Sequence, residues 1–160
     1  MSKSESKSGI AGLYSRFVFC ADYLQSPFLL LVRLYWGWQF VTTGWGKLHN
    51  LGHVIDFFHS LGIPAPGVMA PFVATLEFVG GILLIVGLGS RIIGLLLAGN
   101  MLVAYITSDR EALSSVFSDP GKFYVADPFT FMFAALIVLV FGAGLYSLDA
   151  LIAKRRKTLA

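Results

Sequence analysis

Four stretches of this chain stay apolar for close to twenty residues. They are FLLLVRLYWGWQFVTTGWG at 28–46, PFVATLEFVGGILLIVGLG at 71–89, SRIIGLLLAGNMLVAYIT at 90–107 and PFTFMFAALIVLVFGAGLYSL at 128–148. A helix needs about 20 residues to cross about 30 Å of hydrocarbon, so each is predicted to span a bilayer. The third is the shortest and fits an untilted helix or a locally thinned membrane. Residues 1–9 form a polar tail. Ile10, Leu13, Tyr14, Phe17, Val18, Ala21 and Leu24 then recur at helical spacing, with Ser15, Arg16, Asp22 and Gln25 facing elsewhere. That pattern predicts an amphipathic helix lying on the membrane. Ser26-Pro27 reads as a fresh helix start, N-cap followed by N1. The short GLGSR turn makes the second and third spans antiparallel neighbours. In the loop at 47–70, His49, His53 and Asp56 fall at i, i+4, i+7, opposite Leu51, Ile55 and Phe58, which predicts a second interfacial helix.

The expected fold class is thus all-α integral membrane: a four-transmembrane-helix antiparallel bundle with amphipathic interfacial helices at the N-terminus and in the first loop. The chain divides into 1–25 (tail and interfacial helix), 26–150 (transmembrane domain) and 151–160 (basic tail).

Composition strengthens this picture. Of 160 residues, 56% are hydrophobic and only 13% charged, against about 25% charged in an ordinary soluble domain. A soluble enzyme, a disordered chain and a disulfide scaffold are excluded, the last because Cys20 is the one cysteine. No short apolar run with a cleavage motif follows the first residues, so no cleaved signal peptide is expected. The formal charge of +3 does not point to nucleic acid, because the cations cluster at segment ends. Lys3, Lys7, Arg16, Arg91, Lys154, Arg155, Arg156 and Lys157 fall on one side of the predicted topology, and Lys47, Arg110 and Lys122 on the other. This bias predicts both termini in the cytoplasm.

Two charges interrupt the apolar spans. Arg33 and Glu77 each carry an insertion cost of about 2.5–3.5 kcal/mol at the bilayer centre, which directs them toward a bundle interior or a wet cavity. On the first span, Arg33, Gly37, Phe40, Gly44 and Lys47 run i, i+4, i+7, i+11, i+14 along one face. Glu77, Gly81, Leu84, Leu88 and Arg91 repeat that spacing, and glycines on both faces permit close approach. The two faces are predicted to meet. Depth then selects partners: Glu77 lies about 9 Å from one surface and Arg33 about 9 Å from the other, a difference of roughly 12 Å. Lys47 is therefore the expected partner of Glu77, with Thr43 or Gln39 nearby, and Asn100 the expected partner of Arg33. Trp36 and Phe40 are candidate walls of a flat, apolar ring-binding pocket. The two histidines with Asp56 are read as the polar face of a helix, so no metal is expected. No P-loop, GxGxxG after a strand, HExxH or GxSxG occurs.

The order and spacing of Arg33 and Gly37, Phe40, Gly44, Lys47-Leu48, FHSLGIPAP at 58–66, Glu77-Phe-Val-Gly-Gly81, Gly87 and Arg91, with Gly142, Gly144 and Ser147-Leu-Asp149 at the end, resemble the DoxX family. The likeness runs over about 28–150. That family consists of small four-helix membrane proteins related to the DoxD subunit of thiosulfate:quinone oxidoreductase, and other members associate with thiol and superoxide defence enzymes. The resemblance implies redox chemistry at the membrane and makes Arg33, Lys47, Glu77 and Arg91 family-pattern positions.

Three functions follow. The first is the membrane subunit of a quinone-linked redox complex. Glu77 handles the quinol proton and Lys47 or Arg33 faces the reduced oxygen. Trp36, Gly37, Phe40, Gly81 and Asn100 hold the ring, and a partner redox enzyme supplies electrons. The second is a scaffold or cargo-binding protein whose partner docks on loop 108–127 through Phe117, Phe123 and Tyr124. The third is a small transporter or proton path through Arg33, Asn100 and Glu77, which would require a homo-oligomer.

Overall fold

The structure, a computed structural model, describes residues 3–159, with side chains described from residue 11 to 158. Eight helices follow one another: α1 (Lys3–His49), α2 (Leu51–Ser60), α3 (Pro66–Val86), α4 (Ser90–Thr107), α5 (Arg110–Ser114), α6 (Pro120–Val125), α7 (Pro128–Phe141) and α8 (Leu148–Leu159). No strand occurs among the described residues. Three of the helices, α1, α3 and α4, are long and apolar enough to cross a membrane. The third predicted span matches α4 residue for residue, while α3 starts five residues before the second predicted span, at Pro66.

Two expectations are corrected. The chain does not start a new helix at Ser26-Pro27: α1 runs 47 residues through Pro27 without a break. The Ser26 hydroxyl accepts the amide of Leu145 (3.2 Å) and caps nothing in its own helix. Proline costs an interior helix one hydrogen bond, and α1 tolerates that loss. The fourth predicted span also ends early. α7 has 14 residues and stops at Phe141, because Gly142 and Gly144 adopt left-handed φ values of 79° and 74°. Such values are cheap only for glycine. The chain at 142–147 then folds back against α1, where a Cβ on Gly144 would lie 3.3 Å from the Cα of Ser26.

Glycines set the packing. A Cβ at Gly44 would collide with the backbone nitrogen of Phe78, and one at Gly81 would lie 2.7 Å from the carbonyl oxygen of Gly37. The predicted faces of α1 and α3 therefore meet backbone to backbone, antiparallel, with no room for a side chain at the crossing. α4 and α7 form a second close pair, where a Cβ on Gly94 would come within 2.9 Å of the Ala135 carbonyl oxygen. Between the two pairs lies one apolar core of Val32, Phe40, Leu84, Leu97, Ala98, Met101, Ala134, Ala135 and Val138. The GLGSR turn binds α3 to α4 at one end of the bundle, and α2 lies across the other.

Candidate functional site

Glu77 is the most deeply buried acid in the bundle, with 1% of its surface exposed. It sits on the face of α3 that α1 covers, one turn from the Gly44 crossing. Lys47, at the far end of α1, reaches back to it. Its Nζ donates to both carboxylate oxygens, at 2.6 and 2.7 Å. Asn100 of α4 closes the group, its Nδ2 donating to Oε1 at 2.9 Å. The carboxylate is thus charged, paired and hydrogen-bonded, which is how an ion is tolerated away from water.

The expected Lys47–Glu77 pair is present, whereas the expected Asn100–Arg33 pair is not. Counting outward from the α3–α4 turn supplies the missing signal. Glu77 lies ten residues before Gly87 and Asn100 eleven after Gly89, so a tight turn puts them level.

Above this triad opens a cavity of about 800 Å³. Gln39, Thr43 and Lys47 of α1, Met69, Val73 and Glu77 of α3, and Asn100, Met101, Val103, Ala104 and Thr107 of α4 form its floor and sides. Pro128 and Phe131 of α7 complete the wall, and Val54, Phe57 and Phe58 of α2 with Leu61 form the roof. His53, Ser108, Asp109 and Asp127 reach its rim. The apolar side of α2 is therefore turned onto the bundle, a role the sequence left open. Most of the lining is apolar, with a few converging polar groups at one end, the usual make-up of a small-molecule site.

Several candidate residues lie elsewhere. Phe40 is fully buried in the core, packed edge-on against Phe131 with ring centroids 4.8 Å apart, and Trp36 packs on the same core. Gly37 and Gly81 serve the α1–α3 crossing. None of these four lines the cavity, and Asn100 alone of the expected ring-binding set does. Arg33 is also not at the site. It precedes Lys47 by fourteen residues of α1, about 21 Å along the axis. It is completely buried, and its Nη2 donates to the carbonyl oxygen of Tyr146 in the returning 142–147 segment. Its work is done at the α7 break, where the backbone has left the helix.

The same end holds a second constructed feature. The carboxylate of Asp149, at the start of α8, accepts the amides of Gly89 (2.8 Å) and Ser90 (2.9 Å), while its own amide donates to the carbonyl of Gly87 (2.9 Å). A residue from the far end of the chain thus supplies the N-cap that α4 lacks locally. Burial alone would raise the Asp149 pKa. The Ser90 and Gly89 hydrogen bonds together with the Arg33 charge outweigh it and hold the group below its ordinary value.

Arg91 lies beside the end of α7, donating weakly to the Leu139 carbonyl (3.4 Å). His49 bonds the Trp45 carbonyl at 2.9 Å. In the 108–127 segment, Phe123 stacks on Tyr105, whose hydroxyl donates to the Phe123 carbonyl (2.6 Å). Of the aromatic residues expected to recruit a partner, Phe123 is engaged internally and Phe117 stands 97% exposed.

Comparison with known proteins agrees with this architecture. Residues 28–110 match the DoxX family model. Over 83 residues the chain is 37% identical to "Putative oxidoreductase CatD" of Bacillus subtilis, covering 52% of this chain and 60% of that protein. It is 28% identical over 133 residues to "Inner membrane protein YqjF" of Escherichia coli, covering 82% of this chain and 97% of that one. No solved structure matches the chain. The matched segment holds α1 from Phe28, the α2 roof, and the whole of α3 and α4, with Lys47, Glu77 and Asn100 inside it. The family match covers residues 28–110, more than half of the chain, and this helical bundle with its Lys47–Glu77 ion pair belongs to the DoxX family of membrane proteins.

Proposed function

We infer that the chain is the quinone-binding membrane subunit of an oxidoreductase in a bacterial inner membrane, spanning it four times with both termini cytoplasmic. The observation that carries this reading is the 800 Å³ cavity with Glu77, Lys47 and Asn100 at one end and apolar side chains elsewhere. The names of the two relatives, one containing the word oxidoreductase and one the words inner membrane, support the class and the location. The positive-inside bias supports the orientation.

The residues present fit a quinone. Lys47 has three N–H donors and directs two at Glu77; Asn100 has two on its amide nitrogen and directs one there. One donor on each remains for a ligand carbonyl, and the Asn100 carbonyl is a free acceptor. A bound quinone supplies two-electron, two-proton acceptor chemistry, with electrons from a partner redox enzyme. Glu77 orients both donors. The 2.6 Å bond from Lys47 Nζ to Oε1 sets the ammonium and the carboxylate side by side at one end of the cavity. The apolar side chains of α2 cover part of the cavity above the triad.

Gentle detergent purification followed by solvent extraction and mass spectrometry tests this. Quinone is expected to leave with the wild-type protein, and Lys47→Met is expected to lower its content about tenfold, the loss of one charge-assisted hydrogen bond. Wild-type protein carrying no more quinone than detergent-washed membrane controls overturns the reading. The 97% exposure of Phe117 favours one second reading, a docking point for a protein partner. Phe117→Ser abolishing co-purification of a protein while quinone content is unchanged would support both roles together.

A further inference from the structure

We propose that α8 is a docking site for anionic phospholipid: its cations and its exposed apolar side chains hold the helix flat on the headgroups at the end of the bundle where α3 meets α4. This site lies at the opposite end from the cavity and draws nothing from the quinone reading.

The level of α8 follows from what pins it. α3 and α4 hold 21 and 18 residues. At 1.5 Å per residue they measure about 31 and 27 Å, close to the roughly 30 Å of a hydrocarbon core. Both are apolar enough to cross it, so the turn that joins them emerges at a membrane surface. Asp149 is bonded to that turn through Gly87, Gly89 and Ser90. α8 therefore begins at headgroup level. It then leaves the bundle: residues 151–158 are all exposed, and among the described residues none of them bonds to another helix.

What the free helix carries selects its partner. Lys154, Arg155, Arg156 and Lys157 are consecutive cations, and no acid follows Asp149 in the chain. The Asp149 carboxylate is itself held by the Gly89 and Ser90 amides. Arg91, exposed in the first turn of α4, adds a further cation at this end. Leu148, Leu151 and Ile152 are exposed and recur at i, i+3, i+4 along one side of α8. Lys154 and Arg156 flank that side. Arg155 continues it at i+7, where its aliphatic stem lies along hydrocarbon while the guanidinium stays among headgroups. An acidic protein would meet the cations and leave the apolar side in water, whereas an anionic bilayer surface takes both at once. Charge also sets the pose. A helix standing straight out would carry Lys157 about 13 Å beyond Leu148, past the screening length of about 8 Å at physiological salt. A helix lying flat keeps every cation within it.

Reconstitution of the full chain in vesicles of phosphatidylcholine and phosphatidylglycerol in equal amounts tests this, followed by extraction in mild non-ionic detergent and mass spectrometry of the retained lipid. Wild-type protein is expected to retain phosphatidylglycerol over phosphatidylcholine by at least about fivefold, roughly the factor that one cation contributes at an anionic surface. Arg155→Gln with Arg156→Gln is expected to lower that ratio at least about threefold, and Leu151→Ser with Ile152→Ser at least about twofold. Arg110→Gln with Lys122→Gln removes the same charge from the other end of the bundle and is expected to leave the ratio unchanged. All six positions are exposed, so the variants spare the core. Absence of a preference in wild type overturns the proposal and leaves the cluster to an acidic protein. A ratio unmoved by the arginine pair, or lowered as much by the Arg110 and Lys122 pair, overturns it too, since retention then follows net charge. A ratio indifferent to the serine pair overturns the flat pose. Both leaflets of such a vesicle have one composition, so the outcome is independent of which end is cytoplasmic and of whether quinone binds.

Discussion

Lys47 carries a larger burden than a surface lysine, because its partner has no other charge to meet. Removing it leaves a buried carboxylate held by Asn100 alone. Lys47→Met is expected to destabilise the bundle by about 2–4 kcal/mol, toward the lower figure because Lys47 is itself 34% exposed. Adding Glu77→Gln to that variant removes the stranded charge and is expected to restore about half of the loss, measured by unfolding in mixed micelles. No recovery in the double variant would mean that the pair is not a coupled unit. The glycines separate in the same way. Gly44→Ala drives a Cβ against the Phe78 backbone and is expected to cost about 1–3 kcal/mol, whereas Gly99, with nothing within 4 Å, should accept alanine with a neutral or favourable change. At this scale the sequence was most informative where geometry is local. The face Arg33–Gly37–Phe40–Gly44–Lys47 follows from helical spacing, and depth along the axis was enough to choose Lys47 over Arg33 for Glu77. Asn100 was misassigned because its depth was taken from the membrane surface when the α3–α4 turn is the nearer ruler.

Element boundaries were less legible, and two examples show why. Ser-Pro is a sound local signal for a helix start, yet the distant amide of Leu145 claims the Ser26 hydroxyl, and α1 continues. GAGLYSL is apolar enough to read as the end of a span, but its glycines turn left-handed because a return to Ser26 and Arg33 satisfies the freed backbone. Both outcomes depend on contacts made over more than a hundred residues. Asp149 belongs with them, since a cap donated across sixty residues has no sequence signature. Asp149→Ala is expected to cost about 1 kcal/mol near neutral pH. Its pKa is lowered in the folded chain, so the stabilisation is complete above the ordinary value of 3.8 and fades as pH falls through the lower folded value. The gap in stability between wild type and Asp149→Ala should therefore close in acid; a gap that is constant with pH would mean that the cap acts through shape and not charge.

Across the whole molecule, the bundle is two glycine-sealed pairs that touch through one shared core. Gly44 and Gly94 have no contact atom in common, so the costs of Gly44→Ala and Gly94→Ala should add to within about 0.5 kcal/mol. A marked departure from additivity would mean that the pairs fold as a single unit. The first part of α1 stands apart from both: residues 11–25 are exposed throughout, and the first hydrogen bond joining α1 to a distant part of the chain is at Ser26. Replacing Phe17, Phe19 and Tyr23 by serine is therefore expected to change bundle stability by less than about 0.5 kcal/mol, read by the same micelle unfolding. A larger loss would place that arm against the bundle in the folded protein.

The cap on α4 also has a consequence in time. Synthesis proceeds from the N-terminus, and folding units assemble in that order. α3, α4 and every side chain lining the cavity, as far as Phe131, leave the ribosome before Asp149 does. A nascent chain therefore owns a complete set of cavity walls while the joint between α3 and α4 is still unfastened, its Gly89 and Ser90 amides waiting for a carboxylate translated sixty residues later. The α3–α4 turn is thus fastened only after α5, α6 and α7 have been made, long after both of the helices it joins.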